Sequence, residues 1–306
     1  MSPAAQKIEV RVGNRTLTLS NLDKVLYPAT GFTKGQVIDY YSRIAPVLLP
    51  HLKNRPLTMK RYPNGVDGMF FFEKNCPKHR PEWVKTVDVF SKDNDKDISY
   101  CHVDSLATLV WAANLADLEL HTSMHFAKTA SRPQMMVYDL DPGEPADIVQ
   151  CAQVALWLRD YFERRGMQLF PKTSGSKGMQ VYVPLNTATS YDAVTPFAKA
   201  LAQQLELEHP ELVVHNMKKD LRHGKVLVDW SQNVSAKTTI CVYSLRARQQ
   251  PTCSTPITWA EVQACVDAGD ASLLTFVTDD VLARVEAHGD LFAPALTLKQ
   301  KLPRSV

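Results

Sequence analysis

Apolar and polar positions follow two different periods in the amino-terminal part of the chain. Residues 8–19 alternate around a Gly-Asn turn, which predicts a β-hairpin. Apolar residues from Val37 to Leu48 recur at spacings of three and four, so a helix beginning near Thr33 is predicted. The apolar run 105–121 predicts a mostly buried helix, with His121 at its C-terminal end as a partner of the helix dipole.

The remaining sequence mixes short strand patterns with longer helical ones. Because the two kinds of pattern follow one another in mixed order, an α/β or α+β fold is predicted, with two sheets favoured over one. Beyond Pro256 the chain turns helical and polar towards a basic tail. Strands are predicted at about 56–63, 68–74, 98–103, 135–141, 169–174, 179–185, 225–231 and 238–245, and helices at about 147–165 and 191–207.

Composition mainly excludes classes of protein. A chain of 306 residues with 45% hydrophobic content can bury a substantial core, and a net charge of +3 confines any nucleic-acid surface to a local patch. Six scattered cysteines without a CxxC pair suggest reduced thiols of an intracellular protein. The start of the chain does not resemble a signal peptide, and no apolar run is long enough to span a membrane. We therefore expect a soluble, cytoplasmic protein.

Three aspartates suggest a site for divalent cations. In the stretch MVYDLDPGE, Asp139 and Asp141 point to the same face of a predicted strand, which they share with Met135 and Val137. Asp229 ends a second apolar strand in KVLVDWSQN. Strand-borne carboxylates offer hard divalent cations oxygen ligands on a rigid support, and two such ions could serve phosphoryl chemistry. The alternative is that Asp-Pro-Gly is a plain turn capped by Asp139.

The stretch KTSGSKGMQVYV places small residues between two predicted strands. Ser174, Ser176 and consecutive backbone N–H groups could bind an anion, with Lys177 adding a positive charge. The order of elements is not that of a Walker P-loop, and an ordinary Gly-Ser turn remains the alternative. The spacing of Ser174 and Lys177 also occurs in serine β-lactamases, but there the serine opens a helix, whereas Ser174 leads into a turn.

Basic and aromatic residues are interleaved elsewhere in the chain. Lys60 and Arg61 precede an Asn-Gly turn and Phe70–Phe72 follow it, so one or two of the rings are expected to be exposed as a stacking surface for bases. Segment 215–225 and the pair Arg246 and Arg248 surround the Asp229 strand with positive charge. The alternatives are two layers of core for the rings and solvated loops for the cations.

Taken together in this order, the motifs DLDPGE, TSGSKG, VDWSQN, AKTTI and YSLRAR resemble the polymerase domain of bacterial ATP-dependent DNA ligase D. The stretches DKVLYPATG, RPLTMKRYPNGVDG and FFEK extend the resemblance to about residues 10–300. That family belongs to the archaeo-eukaryotic primase superfamily and acts in non-homologous end joining. The resemblance implies a primase-type core with an RRM-like catalytic sheet packed against an N-terminal α/β part. It also implies one domain over 1–306, with its catalytic core at about 130–250.

The resemblance assigns roles to individual residues. It implies that two ions, Mn²⁺ in preference to Mg²⁺, are held by Asp139, Asp141 and Asp229. It places nucleotide binding at Lys60, Phe72, His121, Ser174, Lys177, Gln180, Gln232 and Arg246. It places recognition of a DNA 5′-phosphate at Lys24 and Lys34, and contacts to stacked bases and template at Phe71 and Arg222.

One residue departs from the family pattern. The family usually carries His where this chain has Gln180, and glutamine keeps a donor and an acceptor but cannot become cationic. The function implied is a metal-dependent, DNA-directed nucleotidyltransferase that fills short gaps at double-strand breaks and prefers ribonucleotides. Its expected partners are gapped DNA with a 5′-phosphate, nucleoside triphosphates, Ku and an ATP-dependent DNA ligase, at the bacterial nucleoid. The alternative is a catalytically weak module that binds 5′-phosphorylated ends.

Overall fold

Strands and helices occur in mixed order in this computed structural model, which describes residues 7–91 and 95–306. The strands are β1 Lys7–Val12, β2 Arg15–Ser20, β3 Val25–Tyr27, β4 Phe32–Thr33, β5 Leu57–Arg61, β6 Phe71–Glu73, β7 Thr86–Ser91, β8 Lys96–Cys101, β9 Asp117–Thr122, β10 Met135–Pro142, β11 Phe170–Thr173, β12 Met179–Pro184, β13 Val213–Val214, β14 Val226–Asp229 and β15 Thr239–Ile240. The α-helices are α1 Lys34–Leu52, α2 Leu106–Asn114, α3 Ile148–Glu163, α4 Tyr191–Glu208, α5 Trp259–Ala268 and α6 Thr278–His288. The prediction of a mixed α/β fold with two main sheets is confirmed.

The first main sheet has six strands and carries the amino-terminal half of the core. Its order is β15-β9-β5-β8-β7, with β6 paired to β5. Helix α1 packs on α2 beside this sheet. The sequence starts α1 where predicted, because the hydroxyl of Thr33 accepts from Gln36 N while the Gln36 side chain accepts from Thr33 N.

The second main sheet has the order β11-β12-β10-β14-β13 and divides the core in two. Met136, Tyr138 and Leu140 alternate along β10 and are buried in the core formed with α3 and α4. Met135 and Val137 point the other way and join the core of the first sheet. Because side chains alternate across a strand, Asp139 and Asp141 continue the face that looks towards the first sheet.

The prediction of one helix over 105–121 is wrong. Helix α2 ends at Asn114, Ala116 adopts a φ of 59°, and β9 begins at Asp117. A φ in the left-handed region interrupts a right-handed helix and turns the chain. His121 therefore lies on a strand and is not a helix-terminal residue. The strand predicted at 238–245 is likewise reduced to β15.

Two of the cysteines form a disulfide bond, so the expectation of reduced thiols is wrong for Cys76 and Cys101. Their Cα atoms lie 4.8 Å apart, and Cys76 N donates to the carbonyl of Ser99 on β8. The bond ties the segment after β6 to the end of β8. The other cysteines are buried and unbonded: Cys151, Cys241, Cys253 and Cys265.

In the part of the chain that the structure covers, no helix is both long and apolar enough to cross a lipid bilayer.

Candidate active site

Three aspartates meet at one end of the second sheet. Asp139 on β10 is the direct cross-strand partner of Asp229 on β14, and Asp141 follows on the same face of β10. Burial and then the neighbouring Asp141 raise the pKa of Asp139. Burial and then Asp229 raise the pKa of Asp141. Both shifts have the sign expected when carboxylates crowd together away from water without a cation.

Asp229 already has hydrogen-bonding partners within its own turn. Its Oδ1 accepts from Ser231 N at 2.8 Å and from Ser231 Oγ at 2.6 Å, and its Oδ2 accepts from Gln232 Nε2 at 2.8 Å. In keeping with this, no three His, Cys, Asp or Glu side chains among residues 7–91 and 95–306 form a ready-made metal-binding group. Asp139 and Asp141 are the carboxylates that face the cavity.

Two glycines let neighbouring segments approach the acids closely. A Cβ on Gly178 would lie 2.0 Å from the carbonyl oxygen of Leu140, and a Cβ on Gly143 would lie 1.9 Å from the carbonyl oxygen of Arg222. Neither distance is sterically possible, so both positions require glycine. The contact at Gly178 holds the TSGSKG turn against β10. The contact at Gly143 holds the basic segment 215–225 against the end of the same strand.

The TSGSKG turn is built around Ser174, which is almost fully buried. Its hydroxyl oxygen accepts from the backbone N–H groups of Ser176 at 3.2 Å and Gly178 at 3.3 Å. Part of the predicted anion-binding capacity is therefore used within the turn. Lys177 forms a 2.6 Å ion pair with Glu144, and since both side chains are largely exposed this pair is weak and exchangeable.

Glu119 on β9 joins three of the predicted nucleotide-binding residues. Its side chain is 3% exposed and lies 3.3 Å from Lys60 Nζ, 3.0 Å from His121 Nε2 and 3.3 Å from Arg246 Nε. Burial opposes ionisation of Glu119, but the hydrogen bond with His121 and the charges of Arg246 and Lys60 outweigh it and hold its pKa well below the usual range. Burial lowers the pKa of His121 in spite of this contact. Glu119 thus holds the cations at one wall of the site.

The aromatic residues around β6 are more exposed than predicted. Phe70, Phe71 and Phe72 all keep 43–56% of their surface exposed, where one or two rings were expected. Lys60 Nζ lies 4.4 Å from the centroid of Phe70 and 5.4 Å from that of Phe72, and the Phe72 ring is 5.7 Å from His121. Phe70 and Phe72 meet edge to face at 87°, so this arrangement gives individual exposed rings next to a cation, each able to stack a nucleobase.

Lys24 and Lys34 lie together but outside the central cavity. Lys34 N donates to the carbonyl of Lys24, Lys34 Nζ donates to the carbonyl of Ser20 at 2.6 Å, and Lys24 Nζ donates to Asn64 Oδ1 at 3.1 Å. Burial, followed by the charges of Lys24 and Arg61, lowers the pKa of Lys34 to about 8. Lys24, Lys34 and Arg61 thus form a basic cluster in which the Lys34 side chain is buried, at 6% exposed.

A cavity of about 430 Å³ connects most of the predicted residues. Its lining includes Asp139, Asp141, His121, Ser174, Lys177, Gln180, Arg222, Gln232 and Arg246. Three more of the predicted residues lie next to the lining without being part of it: Lys60, Phe72 and Asp229. The cavity is not lined by Lys24, Lys34 or Phe71.

Sequence reasoning missed Glu119 and the cavity residues Thr238 and Thr239. A signal for Glu119 was present, because Asp117, Glu119 and His121 alternate with leucines as in a strand. The two threonines lie in the AKTTI motif, but no role in the site was assigned to them, and they reach the cavity at the start of β15.

A family model described as LigD, primase-polymerase domain, matches residues 33–292. The chain belongs to this family. As a ligase D primase–polymerase domain it is a nucleotidyltransferase, and the fold expected from that resemblance is confirmed. A solved structure, the polymerase domain from Mycobacterium tuberculosis ligase D in complex with DNA, superposes with a TM-score of 0.84 at 42% identity, covering 92% of this chain and 98% of that one.

Curated ligase D relatives are longer than this chain. The multifunctional non-homologous end joining DNA repair protein LigD of Mycobacterium tuberculosis is 44% identical over 283 residues, which cover 90% of this chain and 36% of the relative. The bifunctional non-homologous end joining protein LigD of Bacillus subtilis is 33% identical over 276 residues, covering 89% and 43%. The chain thus spans well under half the length of these relatives.

Proposed function

We propose that this protein is a metal-dependent, DNA-directed nucleotidyltransferase that fills short gaps at double-strand breaks during non-homologous end joining. The observation that carries the proposal is the single cavity in which the acid pair Asp139 and Asp141 faces Ser174, Lys177 and Arg246. Nucleotidyl transfer needs this pairing, because divalent cations and phosphate-binding groups must meet at the reacting phosphorus. The relatives are non-homologous end joining proteins, which supports the repair pathway.

The donor set fits hard divalent cations. Asp139 and Asp141 would hold them, and Asp229 would share its oxygens between the cation and its present donors, Ser231 and Gln232. Burial and then mutual repulsion raise the pKa values of Asp139 and Asp141, and a bound cation would offset both, which supports a cation in this place. When bound, such ions activate the attacking hydroxyl and neutralise the leaving pyrophosphate. We propose Mn²⁺ as the preferred ion, with Mg²⁺ as its substitute.

The cationic wall would bind the triphosphate. Arg246 and Lys60 are held in place by Glu119, and Lys177 can leave its exposed partner Glu144 for a phosphate oxygen. His121 stays uncharged near neutral pH because burial lowers its pKa, so it would act as a hydrogen-bonding group. Phe72 beside His121 offers a ring for the base.

A preference for ribonucleotides would depend on Ser174. Its oxygen already accepts two backbone hydrogen bonds, so its remaining capacity is to donate its own hydrogen. A 2′-hydroxyl can accept that hydrogen, whereas a deoxyribose leaves it unpaired at a cost of about 1–3 kcal/mol.

DNA would run from the cavity to the basic cluster of Lys24, Lys34 and Arg61, where a 5′-phosphate across the gap would be bound. Tyr27, which lies between Lys24 and Lys34 in the chain, connects the cluster to the cavity wall, because its Oη donates to the carbonyl of Arg246 at 3.0 Å. Arg61 lies 5.0 Å from the Phe71 centroid, so Phe71 would stack on a base there. Arg222, next to Asp141 in the cavity wall, would position the template.

The family also suggests how the chain is organised and which partners it has. Residues 1–306 would act as one polymerase domain, with the catalytic core at about 130–250. Ku and an ATP-dependent DNA ligase would supply end binding and sealing at the nucleoid. The match of the solved neighbour, which is in complex with DNA, supports DNA as the substrate.

Extension of a labelled primer annealed beside a one-nucleotide gap with a 5′-phosphate tests the proposal. With Mn²⁺ and a nucleotide mixture, the wild-type protein should extend the primer, whereas an Asp139→Asn/Asp141→Asn variant purified in parallel should not. Tight binding of the gapped DNA without any extension by the wild type would instead support a module that only holds DNA ends.

A further inference from the structure

A fully buried lysine lies directly behind the acids of the active site. Lys172 on β11 is 1% exposed and is the cross-strand partner of Gln180 on β12. Gln180 is in turn the cross-strand partner of Asp139 on β10. The three residues thus form one row across three neighbouring strands, from the buried edge of the sheet to the cavity.

Each donor of the Lys172 ammonium has an acceptor. Nζ lies 2.7 Å from Gln180 Oε1, 2.6 Å from Ser254 Oγ and 3.1 Å from the carbonyl oxygen of Ile240. Ser254 Oγ donates its own hydrogen to the carbonyl of Thr173 at 2.9 Å, so towards Lys172 it can only accept. Burial lowers the pKa of Lys172 to about 7, and the neutral amine would still keep two N–H groups for Gln180 and Ser254.

These contacts fix the amide of Gln180 in one orientation. Oε1 accepts from Lys172 and from Tyr182 Oη at 3.2 Å. The amide nitrogen is left for Asp139, the cross-strand partner of Gln180, and this contact partly offsets the rise that burial and Asp141 cause in the pKa of that carboxyl. A flipped amide would place its NH₂ against the lysine donor and its carbonyl oxygen against the Asp139 carboxylate. Both contacts would be repulsive, so the orientation with Nε2 towards Asp139 is strongly favoured.

We propose that Lys172 is a positioning residue, which acts through the amide of Gln180 to keep a hydrogen-bond donor aimed at Asp139. The inference rests on the proposed metal site and adds a residue that does not itself touch the cavity. Its consequence is that a fixed N–H donor stabilises the ionised form of Asp139 and holds the carboxylate in one orientation for a cation.

Calorimetric titration with Mn²⁺, without DNA or nucleotide, tests this through a double-mutant cycle of Lys172→Met, Gln180→Met and the double variant. In the wild-type background, Lys172→Met should weaken Mn²⁺ binding about tenfold, the loss expected for one charge-assisted hydrogen bond. In the Gln180→Met background, Lys172→Met has no amide to release. Its remaining effect is to remove a positive charge near the bound cation, so Mn²⁺ binding should be unaltered or stronger. Lys301→Met, at an exposed position, is the matched control.

Equal effects of Lys172→Met in both backgrounds would overturn the positioning role of Lys172 but not the proposed metal site. If the wild-type protein does not bind Mn²⁺, both the positioning role and the metal site are overturned. If Lys172→Met does not fold, Tyr182→Phe replaces it, because this change removes the second donor to Gln180 Oε1 and keeps the ring. It should weaken Mn²⁺ binding in the wild-type background and have no effect beside Gln180→Met, and an effect of equal size in both would again overturn the proposal.

Discussion

Asp139 and Asp229 are directly opposed on neighbouring antiparallel strands, so two carboxylates face each other across β10 and β14. Opposed residues on such strands have Cβ atoms roughly 5 Å apart, and like charges in these positions destabilise the sheet. The fold therefore maintains an unfavourable arrangement that a divalent cation would make favourable.

Replacing Asp139 with Asn should abolish primer extension and stabilise the metal-free protein. The expected gain is on the order of 1 kcal/mol, since each unit by which a carboxyl pKa is raised corresponds to about that much unfavourable free energy. Thermal unfolding of the variant in a chelator measures it, with Asp267→Asn on exposed α5 as control. A destabilised variant would show that the carboxylate of Asp139 is already well compensated without metal.

The pH dependence of that gain follows from the direction of the pKa shifts. Because the folded state raises the pKa of Asp139, its contribution to stability is fully present below the unfolded value of about 4 and is lost as pH rises through the folded pKa. The advantage of Asp139→Asn should thus be near zero at pH 4 and grow towards neutral pH. Urea denaturation at several pH values in a chelator provides the comparison, and an advantage independent of pH would contradict the assignment.

Glu119→Gln should weaken nucleotide binding and destabilise the fold together. The variant leaves Lys60 and Arg246 without their buried counter-charge, which costs about 3 kcal/mol for a broken buried pair. The Michaelis constant for the nucleotide should rise more than kcat falls, because the phosphate-binding cations lose their fixed positions. Glu144→Gln, in the exposed pair with Lys177, is the control for stability. An unchanged Michaelis constant would restrict Glu119 to a structural role.

Lys24→Met/Lys34→Met should remove the preference for a 5′-phosphate. Wild-type protein is expected to bind gapped DNA about tenfold more tightly when the far end is phosphorylated, and this difference should shrink with salt. Methionine approximates the volume of the buried Lys34 side chain. Fluorescence anisotropy with both DNAs makes the measurement, with Lys96→Met as control, and a persistent preference in the double variant would place the phosphate elsewhere.

Gln180→His should not improve catalysis in acid, although an imidazole can become cationic. Lys172 donates to this position, and an imidazolium would have no lone pair to accept that hydrogen bond. The ratio of kcat/KM for the variant to that for the wild type should therefore stay flat between pH 6 and 8. A ratio that rises towards pH 6 would show that the imidazole charges in spite of Lys172.

Local patterns predicted most elements, and the errors have physical causes. The hairpin of β1 and β2, the start of α1 and the acids at the ends of β10 and β14 followed from alternation, capping and strand parity. The helix predicted over 105–121 failed because Ala116 turns the chain without a glycine or proline to mark the break. The apolar residues of 106–116 obscured the alternation of polar and apolar residues at 117–121, which marks β9.

The family resemblance named most of the residues that line the cavity, but it gave none of the bonds among them. Nothing in the spacing of Cys76 and Cys101 indicates a disulfide, because the pair depends on β8 lying beside the segment after β6. Glu119 and Lys172 become relevant only once two sheets bring them to the cations and to Gln180. Side chains that act on one another across strands from distant parts of the chain leave no local pattern.

The two-residue strand β15 joins the halves of the site. After Asp229 the chain leaves the second sheet, and β15 then pairs with β9 of the first sheet. Thr239 lies opposite Thr122, and Ile240 lies opposite His121. So short a ladder has few backbone hydrogen bonds and depends on the burial of Thr239 and Ile240, each 3% exposed. The acids and the cations can therefore keep their register only while the two sheets stay packed together here, and enzyme activity should be lost on warming as soon as this packing is lost, even if the helices and strands of each sheet persist.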